Sequence, residues 1–218
     1  MKAVIFDLDG TLIDSLVDIA SCMNKVLKEF GYKHHKIEEY KYFIGEGSFL
    51  LAQKALPPQV TNEEITKVYH RFLEVYAACS HENTKPFDGI YYLLTKLSHT
   101  ELKLGILSNK PHAFTKEFHN RYFDHCDFKE VHGQKEGIPP KPNPTAAFSI
   151  AKSFDLKPEE IFYVGDSCID IQTANNANMR SIGVLWGLRT QKELEEHGAD
   201  YIVENPLELW NILNSSRQ

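Results

Sequence analysis

Hydrophobic residues follow two different spacings along this chain, and the change comes near Pro86. A short apolar run over 4–6 opens the sequence and predicts a buried strand. Between 16 and 84 the apolar positions recur at helical intervals, and no stretch is typical of a strand. After Pro86, apolar runs alternate with helical segments, which is the pattern of a parallel sheet covered by helices on both faces.

The helical part begins at Ser15 and Asp18, whose spacing is that of a capping box and predicts the start of a helix. Further helices are predicted over 37–44, over 49–56 and from Thr61 onward. This part of the chain is therefore expected to be entirely helical.

Five further strands are expected after Pro86, at 102–107, 128–132, 161–164, 181–185 and 201–203. The first strand belongs with these, so the helical part is an insertion between it and the rest of the sheet. We expect an α/β fold with a catalytic core from 1–15 and 85–218 and an inserted all-helical cap domain from 16–84. The two hinges are expected near Asp14 and Lys85.

Composition narrows the function classes. The 218 residues carry a formal charge of −6, which argues against sequence-independent binding to nucleic acid. The four cysteines are dispersed and suggest neither a zinc knuckle nor a disulfide framework. Only two residues precede the first strand, and no apolar run is long enough to span a bilayer. We expect a cytoplasmic protein, monomeric or homodimeric, without a membrane or nucleic-acid partner.

The candidate chemistry begins with Asp7 and Asp9. In an extended chain these two residues project to the same side of the strand end. Two carboxylates held at 4 Å repel by about 4 kcal/mol at an effective dielectric near 20. Such a pair needs a cation, a shared proton or a catalytic use.

Polar residues also follow other predicted strands, where parallel sheets bind their ligands. Any one of them has an ordinary explanation, since aspartates cap helices and a Ser-Asn pair makes turns. Their occurrence together, in sheet order, favours a functional site. The candidates are Asp7, Asp9, Ser108, Asn109, Asp166 and Asp170, with Lys141 in a proline-rich loop.

These residues form four ordered motifs: Asp7-Leu8-Asp9-Gly10-Thr11, Ser108-Asn109, Lys141, and Gly165-Asp166-Ser167-Cys168-Ile169-Asp170. In this order and over the whole chain they resemble the haloacid dehalogenase (HAD) superfamily of phosphotransferases. The resemblance implies a Rossmann-like parallel core with an inserted helical cap. The acid at position 9 further implies a phosphatase or phosphomutase, because dehalogenases of the superfamily lack it.

The same resemblance implies a role for each motif residue. Asp7 would be the nucleophile that forms an aspartyl-phosphate, and Asp9 the general acid and base. Mg²⁺ would be held by Asp7, the backbone carbonyl of Asp9, and Asp166, with Asp170 ligating directly or through water. The phosphate would be bound by Leu8, Ser108, Asn109 and Lys141.

The substrate is expected to be chosen by the cap, where Gly45, Glu46 and Gly47 form a candidate substrate loop. This loop and the run Gly183-Val184-Leu185-Trp186-Gly187 resemble the phosphoglycolate phosphatase branch, which implies a small phosphorylated metabolite such as 2-phosphoglycolate. One feature opposes this expectation. A carboxylate substrate would want a cation in the cap, yet Glu46 is acidic and Arg71 is the only arginine there.

Other functions remain open from the sequence. A β-phosphoglucomutase-like isomerase would have the same core and return the phosphoryl group to a sugar. A phosphatase could also act on a sugar phosphate, a nucleotide or pyrophosphate. From a different class, the chain could be a non-catalytic binding protein on the same fold, which the complete set of carboxylates and Lys141 argues against.

Overall fold

A computed structural model describes residues 1–216 and contains the parallel sheet that the strand pattern predicts. The strands are β1 (Ala3–Phe6), β2 (Ile13–Asp14), β3 (Lys85–Pro86), β4 (Lys103–Pro111), β5 (Phe128–Gln134), β6 (Ile161–Gly165), β7 (Arg180–Val184) and β8 (Tyr201–Val203). Six of them form one sheet in the order β5-β4-β1-β6-β7-β8, with every pairing parallel. The expected α/β fold is confirmed.

The first strand lies at the centre of this sheet. Phe6 pairs in register with Ile106 of β4 and with Val164 of β6. All four β1 residues are fully buried, because helices cover both faces of the sheet. The central position brings the residues after β1 between the ends of two other strands.

Nine α-helices accompany the strands in the described residues: α1 (Leu16–Glu29), α2 (Ser48–Ala55), α3 (Asn62–Ala77), α4 (Ile90–Leu97), α5 (His112–Tyr122), α6 (Thr145–Ser153), α7 (Cys168–Ala177), α8 (Gln191–Glu196) and α9 (Pro206–Ser215). Short 3₁₀ helices occur at Ile37–Tyr42 and Pro158–Glu160. Within residues 1–216, no helix combines the length and the apolar character needed to cross a membrane.

Alternate residues of β1 face two hydrophobic clusters. Ala3 and Ile5 pack in the cluster that contains α6 and α7 residues. Val4 and Phe6 pack in a larger cluster that continues into the helical part of the chain. The period-two alternation of a strand therefore joins the sheet to both layers.

The helical part, 16–84, leaves and rejoins the sheet through two short paired strands. Ile13 of β2 pairs with Pro86 of β3, and Asp14 pairs with Lys85, in antiparallel register. Only helices and loops lie between them. The expected hinge segments are thus held side by side, while the division into a cap and a core domain stays a prediction.

The structure corrects the capping box expected at the start of α1. Ser15 makes no capping hydrogen bond from its side chain, and its hydroxyl donates instead to Asp9 Oδ1 at 2.5 Å. Asp18 accepts from the Asn83 amide at 3.1 Å and from the Thr84 hydroxyl at 2.6 Å. The capping bonds are replaced at Ser15 by a bond to Asp9, six residues earlier, and at Asp18 by bonds to the segment where the chain returns to the sheet.

The second expected strand is longer than its apolar run. The prediction ended it at Leu107, whereas β4 continues to Pro111 and still pairs there with Gln134 of β5. Ser108 and Asn109 lie between the paired residues Leu107 and Pro111, where the register of β4 against β5 shifts, so they belong to the strand and not to a turn that follows it.

Candidate active site

The carboxyl ends of β1, β4 and β6 meet at one edge of the sheet, facing the helical part. Asp7, Asp9, Ser108 and Asn109 line a small cavity there, of about 40 Å³. The rest of its lining is mostly apolar and comes from both parts of the chain: Ile19, Ile44, Leu51, Phe72, Tyr76, Pro111 and Phe114.

Lys141 is buried beside this cavity and forms ion pairs with two of the carboxylates. Its Nζ lies 2.9 Å from Asp7 Oδ1 and 2.7 Å from Asp170 Oδ1. The other oxygen of Asp170 accepts from the Ser167 amide at 3.1 Å and the Ser167 hydroxyl at 2.7 Å. Both oxygens of Asp170 are therefore engaged. From the first turn of α7, Asp170 holds the Lys141 side chain in position.

Asp166 is packed against two glycines that leave it no freedom. A Cβ at Gly10 would lie 2.5 Å from Asp166 Oδ2, and one at Gly187 would lie 2.3 Å from Asp166 Cβ. Gly10 also has φ +89°, which L side chains rarely adopt. Asp166 Oδ2 accepts from the Leu188 amide at 2.7 Å. The loop after β7, which contains Gly187, thus forms one wall of the site.

Burial and electrostatic interactions within the site shift the pKa values of Asp7, Asp166 and Lys141. The pKa of Asp7 is raised by burial and by the charge of Asp170, against the opposing effect of Lys141. The pKa of Asp166 is also raised, first by burial and then by Asp170 and Asp7. Burial opposes the charge on Lys141, but Asp170 and Asp7 outweigh it and raise its pKa. The site holds more negative charge than its lysine balances.

Without metal, the protein is expected to lose stability as pH rises through the raised pKa values. These lie at about 7 for Asp7 and about 8 for Asp166, each raised from 3.8. The folded state therefore holds protons that the unfolded chain releases, and the free energy of unfolding falls between about pH 4 and pH 8. Urea unfolding in EDTA across this range measures the slope, and Asp166→Asn should flatten it. A rise in wild-type stability above pH 5, unchanged in Asp166→Asn, would contradict the expectation.

Asp9 has a different environment from Asp7. It accepts from Ser15 and from Lys110, whose Nζ lies 3.0 Å from Oδ1 and 3.1 Å from Oδ2. Sequence reasoning missed Lys110, which is also buried and lines the cavity. The Ser108-Asn109-Lys110-Pro111 run looked like a strand end followed by a turn. The signal available in the sequence was that Lys110 comes two residues after Ser108. It points to the site only because β4 continues past Leu107 to Pro111.

Asn109 connects three parts of the site through its side-chain amide. Nδ2 donates to the carbonyls of Gly45 and Lys141, each at 3.0 Å, and Oδ1 accepts from the Lys141 amide at 2.8 Å. The side chain is thus occupied by protein partners. Leu8 is also buried, and its carbonyl accepts three amides of the turn after β1.

The structure separates the three residues of the expected substrate loop. Gly45 and Gly47 line the cavity. Glu46 does not: its Oε2 pairs with Lys54 Nζ at 2.9 Å, on the outer side of the loop. Arg189, from the loop after β7, donates from Nη2 to the carbonyl of Ile44 at 3.0 Å.

The buried carboxylates fit a hard divalent cation. Each of Asp7, Asp166 and Asp170 offers one oxygen, and the three atoms lie within 4.8 Å of one another. Asp7 Oδ1 is buried without a hydrogen-bond partner of good geometry, although Lys141 is near it. Carboxylate oxygens are the donors that Mg²⁺ prefers. The donor set and its excess negative charge therefore suit magnesium.

Comparison with known families agrees with this arrangement. Residues 4–184 match the family model described as haloacid dehalogenase-like hydrolase. The matched segment begins within β1 and ends at the last residue of β7. It therefore includes all four motifs and the helical part.

Curated and solved proteins are similar over nearly the whole chain. A phosphoglycolate phosphatase of Aquifex aeolicus is 30% identical, over 99% of this chain and 98% of its own length. Phosphoglycolate phosphatase 1 of Pseudomonas aeruginosa is 28% identical, over 94% of this chain and 76% of its own. A crystal structure from Lactobacillus delbrueckii, provisionally assigned as a phosphoglycolate phosphatase, has a TM-score of 0.92 and 32% identity, covering 97% of this chain and 98% of that one.

Proposed function

The chain belongs to the haloacid dehalogenase-like hydrolase family, and from this premise we propose that it is a magnesium-dependent phosphatase that prefers 2-phosphoglycolate. The position of Asp7 carries the proposal. This carboxylate lies at the cavity, 2.9 Å from Lys141 Nζ and beside Asp166 and Asp170. A nucleophile, a cation and metal ligands thus converge where a phosphoryl group would sit.

Asp7, Asp166 and the backbone carbonyl of Asp9 would hold the metal. A bound Mg²⁺ would offset the charge of the phosphate dianion, so that a carboxylate can approach it. Asp170 would act through Lys141, since both of its oxygens already have partners.

The reaction proceeds in two displacements. Asp7 attacks phosphorus, the bond from phosphorus to the ester oxygen breaks, and Asp9 donates a proton to the leaving alkoxide. Asp9 then takes a proton from water, which attacks the aspartyl-phosphate and releases inorganic phosphate with Asp7 restored. Splitting the hydrolysis in this way replaces one difficult displacement with two easier ones.

The phosphoryl oxygens would be held by Ser108, Lys141 and the amides of Leu8, Asp9 and Asn109. Ser108 lines the cavity, and Lys141 already lies against Asp7. Fixed donors of this kind stabilise charge as it shifts onto those oxygens during the displacement. The Asn109 side chain has another task, because it ties the Gly45 loop to the Lys141 loop.

A phosphate-release screen tests the proposal. With Mg²⁺, 2-phosphoglycolate should give the highest kcat/KM among hexose phosphates, nucleotides and pyrophosphate, and EDTA should abolish release. A higher kcat/KM for one of the other phosphate compounds would overturn the 2-phosphoglycolate assignment and leave the phosphatase assignment. Conversion of β-glucose 1-phosphate with a bisphosphate activator, without phosphate release, would instead indicate a mutase.

A further inference from the structure

We infer that Lys110 and the hydroxyl of Tyr76 bind a carboxylate of the substrate and select phosphomonoesters that carry it one carbon from the ester oxygen. The inference rests on the proposed function and adds the residues that distinguish one phosphomonoester from another. It also supplies a cation at the cavity, to whose lining the helical part contributes none, because Lys110 reaches the cavity from β4.

Lys110 joins the two parts of the chain inside the site. Its side chain is 5% exposed, and its Nζ lies 2.9 Å from the hydroxyl of Tyr76 in α3 and 3.0 Å from Asp9 Oδ1. Among the cavity-lining residues in the described part of the chain, Lys110 is the one cation. An anionic group in the cavity would therefore have Lys110 as its counter-charge.

The distance between Lys110 and Asp9 determines how far the substrate carboxylate can be from the ester oxygen. Asp9 is the residue that would contact the ester oxygen, and the ammonium group lies one hydrogen-bond length from its carboxylate. A carboxylate attached to the carbon next to the ester oxygen can reach Nζ while that oxygen stays at Asp9. The ammonium carries three donors, which face both Asp9 oxygens and the Tyr76 hydroxyl, so a substrate carboxylate would replace one Asp9 oxygen as an acceptor and share the ammonium with the other.

Aromatic rings hold the ammonium group in place. Nζ lies 4.7 Å from the ring centroid of Tyr76 and 4.9 Å from that of Phe118. Cation–π attraction of this kind stabilises the charged form in a desolvated position. The side chain is thus preorganised at the cavity wall before a substrate arrives.

Tyr76 has a proton to offer. Its oxygen accepts from Lys110, and within residues 1–216 no oxygen accepts the hydroxyl proton in return. Burial and the charge of Asp9 raise the pKa of Tyr76, so the hydroxyl stays protonated. A substrate carboxylate beside Lys110 would take this second hydrogen bond.

The remaining lining disfavours larger polar substrates. Ile19, Ile44, Leu51, Phe72 and Phe114 contribute only apolar side chains to the cavity. The hydroxyls of a sugar would lose their hydrogen bonds to water against these five residues, and of the remaining lining only the Ser48 side chain could replace one. A small substrate such as 2-phosphoglycolate has no hydroxyl group that would be left without a hydrogen-bond partner.

The test compares 2-phosphoglycolate with 2-hydroxyethyl phosphate, in which a hydroxymethyl group replaces the carboxylate. Wild-type enzyme with Mg²⁺ should prefer the carboxylate in kcat/KM by about 10-fold to 100-fold, the range for a hydrogen bond to a charged group. Lys110→Met should remove most of this preference, and Lys110→Arg should retain part of it. The ratio matters because any effect through Asp9 changes both substrates equally.

Two further variants complete the design. Tyr76→Phe keeps the ring and should weaken the preference by about threefold to tenfold, which tests the inference even if Lys110→Met fails to fold. Lys54→Met removes a cation outside the cavity and should leave the preference unchanged.

The outcomes separate the inference from the function on which it rests. An equal loss on both substrates in Lys110→Met, with the ratio preserved, would show that Lys110 serves only Asp9 and would overturn the inference. A wild-type enzyme that hydrolyses both substrates without preference would also overturn it and leave the phosphatase assignment. Hydrolysis of neither substrate would contradict the proposed function itself.

Discussion

Replacement of Asp7 by asparagine is expected to abolish magnesium-dependent phosphate release, by roughly 10⁴-fold or more in kcat. The amide has nearly the shape of the carboxylate but cannot attack phosphorus. The structure predicts no loss of folding, because Asp7 sits among buried carboxylates and its removal lowers their repulsion. Phosphate release and thermal unfolding, each measured with Mg²⁺ and with EDTA, check both parts of the prediction.

A matched aspartate keeps this experiment specific. Asp127 is exposed and pairs with Lys129 outside the site, so Asp127→Asn should change neither activity nor stability. In EDTA, Asp7→Asn should unfold at the same temperature as wild type or at a higher one. Retention of most of the activity in Asp7→Asn would remove Asp7 as the nucleophile.

Replacement of Lys141 by methionine should lower the stability of the metal-free protein by about 3–5 kcal/mol, the usual cost of breaking a buried ion pair from one side. Lys141 has a side-chain exposure of 3% and faces Asp7 and Asp170. Methionine has a similar length but leaves both carboxylates without their cation. Urea unfolding in EDTA at pH 8, above the raised pKa of Asp7, measures the loss.

A second substitution distinguishes charge from packing in this variant. Adding Asp170→Asn to Lys141→Met removes one of the two uncompensated charges, so the double variant should recover part of the stability. Lys2→Met removes the cation of an exposed pair with Glu160 and should have no measurable effect. A double variant that is no more stable than Lys141→Met would indicate lost packing as the cause.

The fold and the central motif residues were predictable because both depend on short-range pattern. An apolar run followed by Asp7 and Asp9 specifies a buried strand with two carboxylates at its end, whatever surrounds it. The parallel sheet then requires the ends of neighbouring strands to meet at one edge. For this reason Ser108 and Asp166 lie where the strand order predicts.

Local bonds were less predictable where a distant segment competes for the same atoms. Ser15 and Asp18 have the spacing of a capping box, yet their side chains bond to Asp9 and to the Asn83-Thr84 segment. Glu46 belongs to the expected substrate loop but pairs with Lys54 outside the cavity. Spacing along the chain does not reveal which partner is closer in space.

Sequence by itself determined the strand at the start of the chain, its paired carboxylates and the order of the motifs that surround them, because each is encoded within a few consecutive residues. Tertiary structure alone decided that Lys110 of β4 meets Tyr76 of α3 above Asp9. These residues are far apart along the chain, and only the packing of the helical part against the sheet brings them together. Chemistry common to the family lies in the local motifs, whereas the residues that we infer choose the substrate depend on that packing.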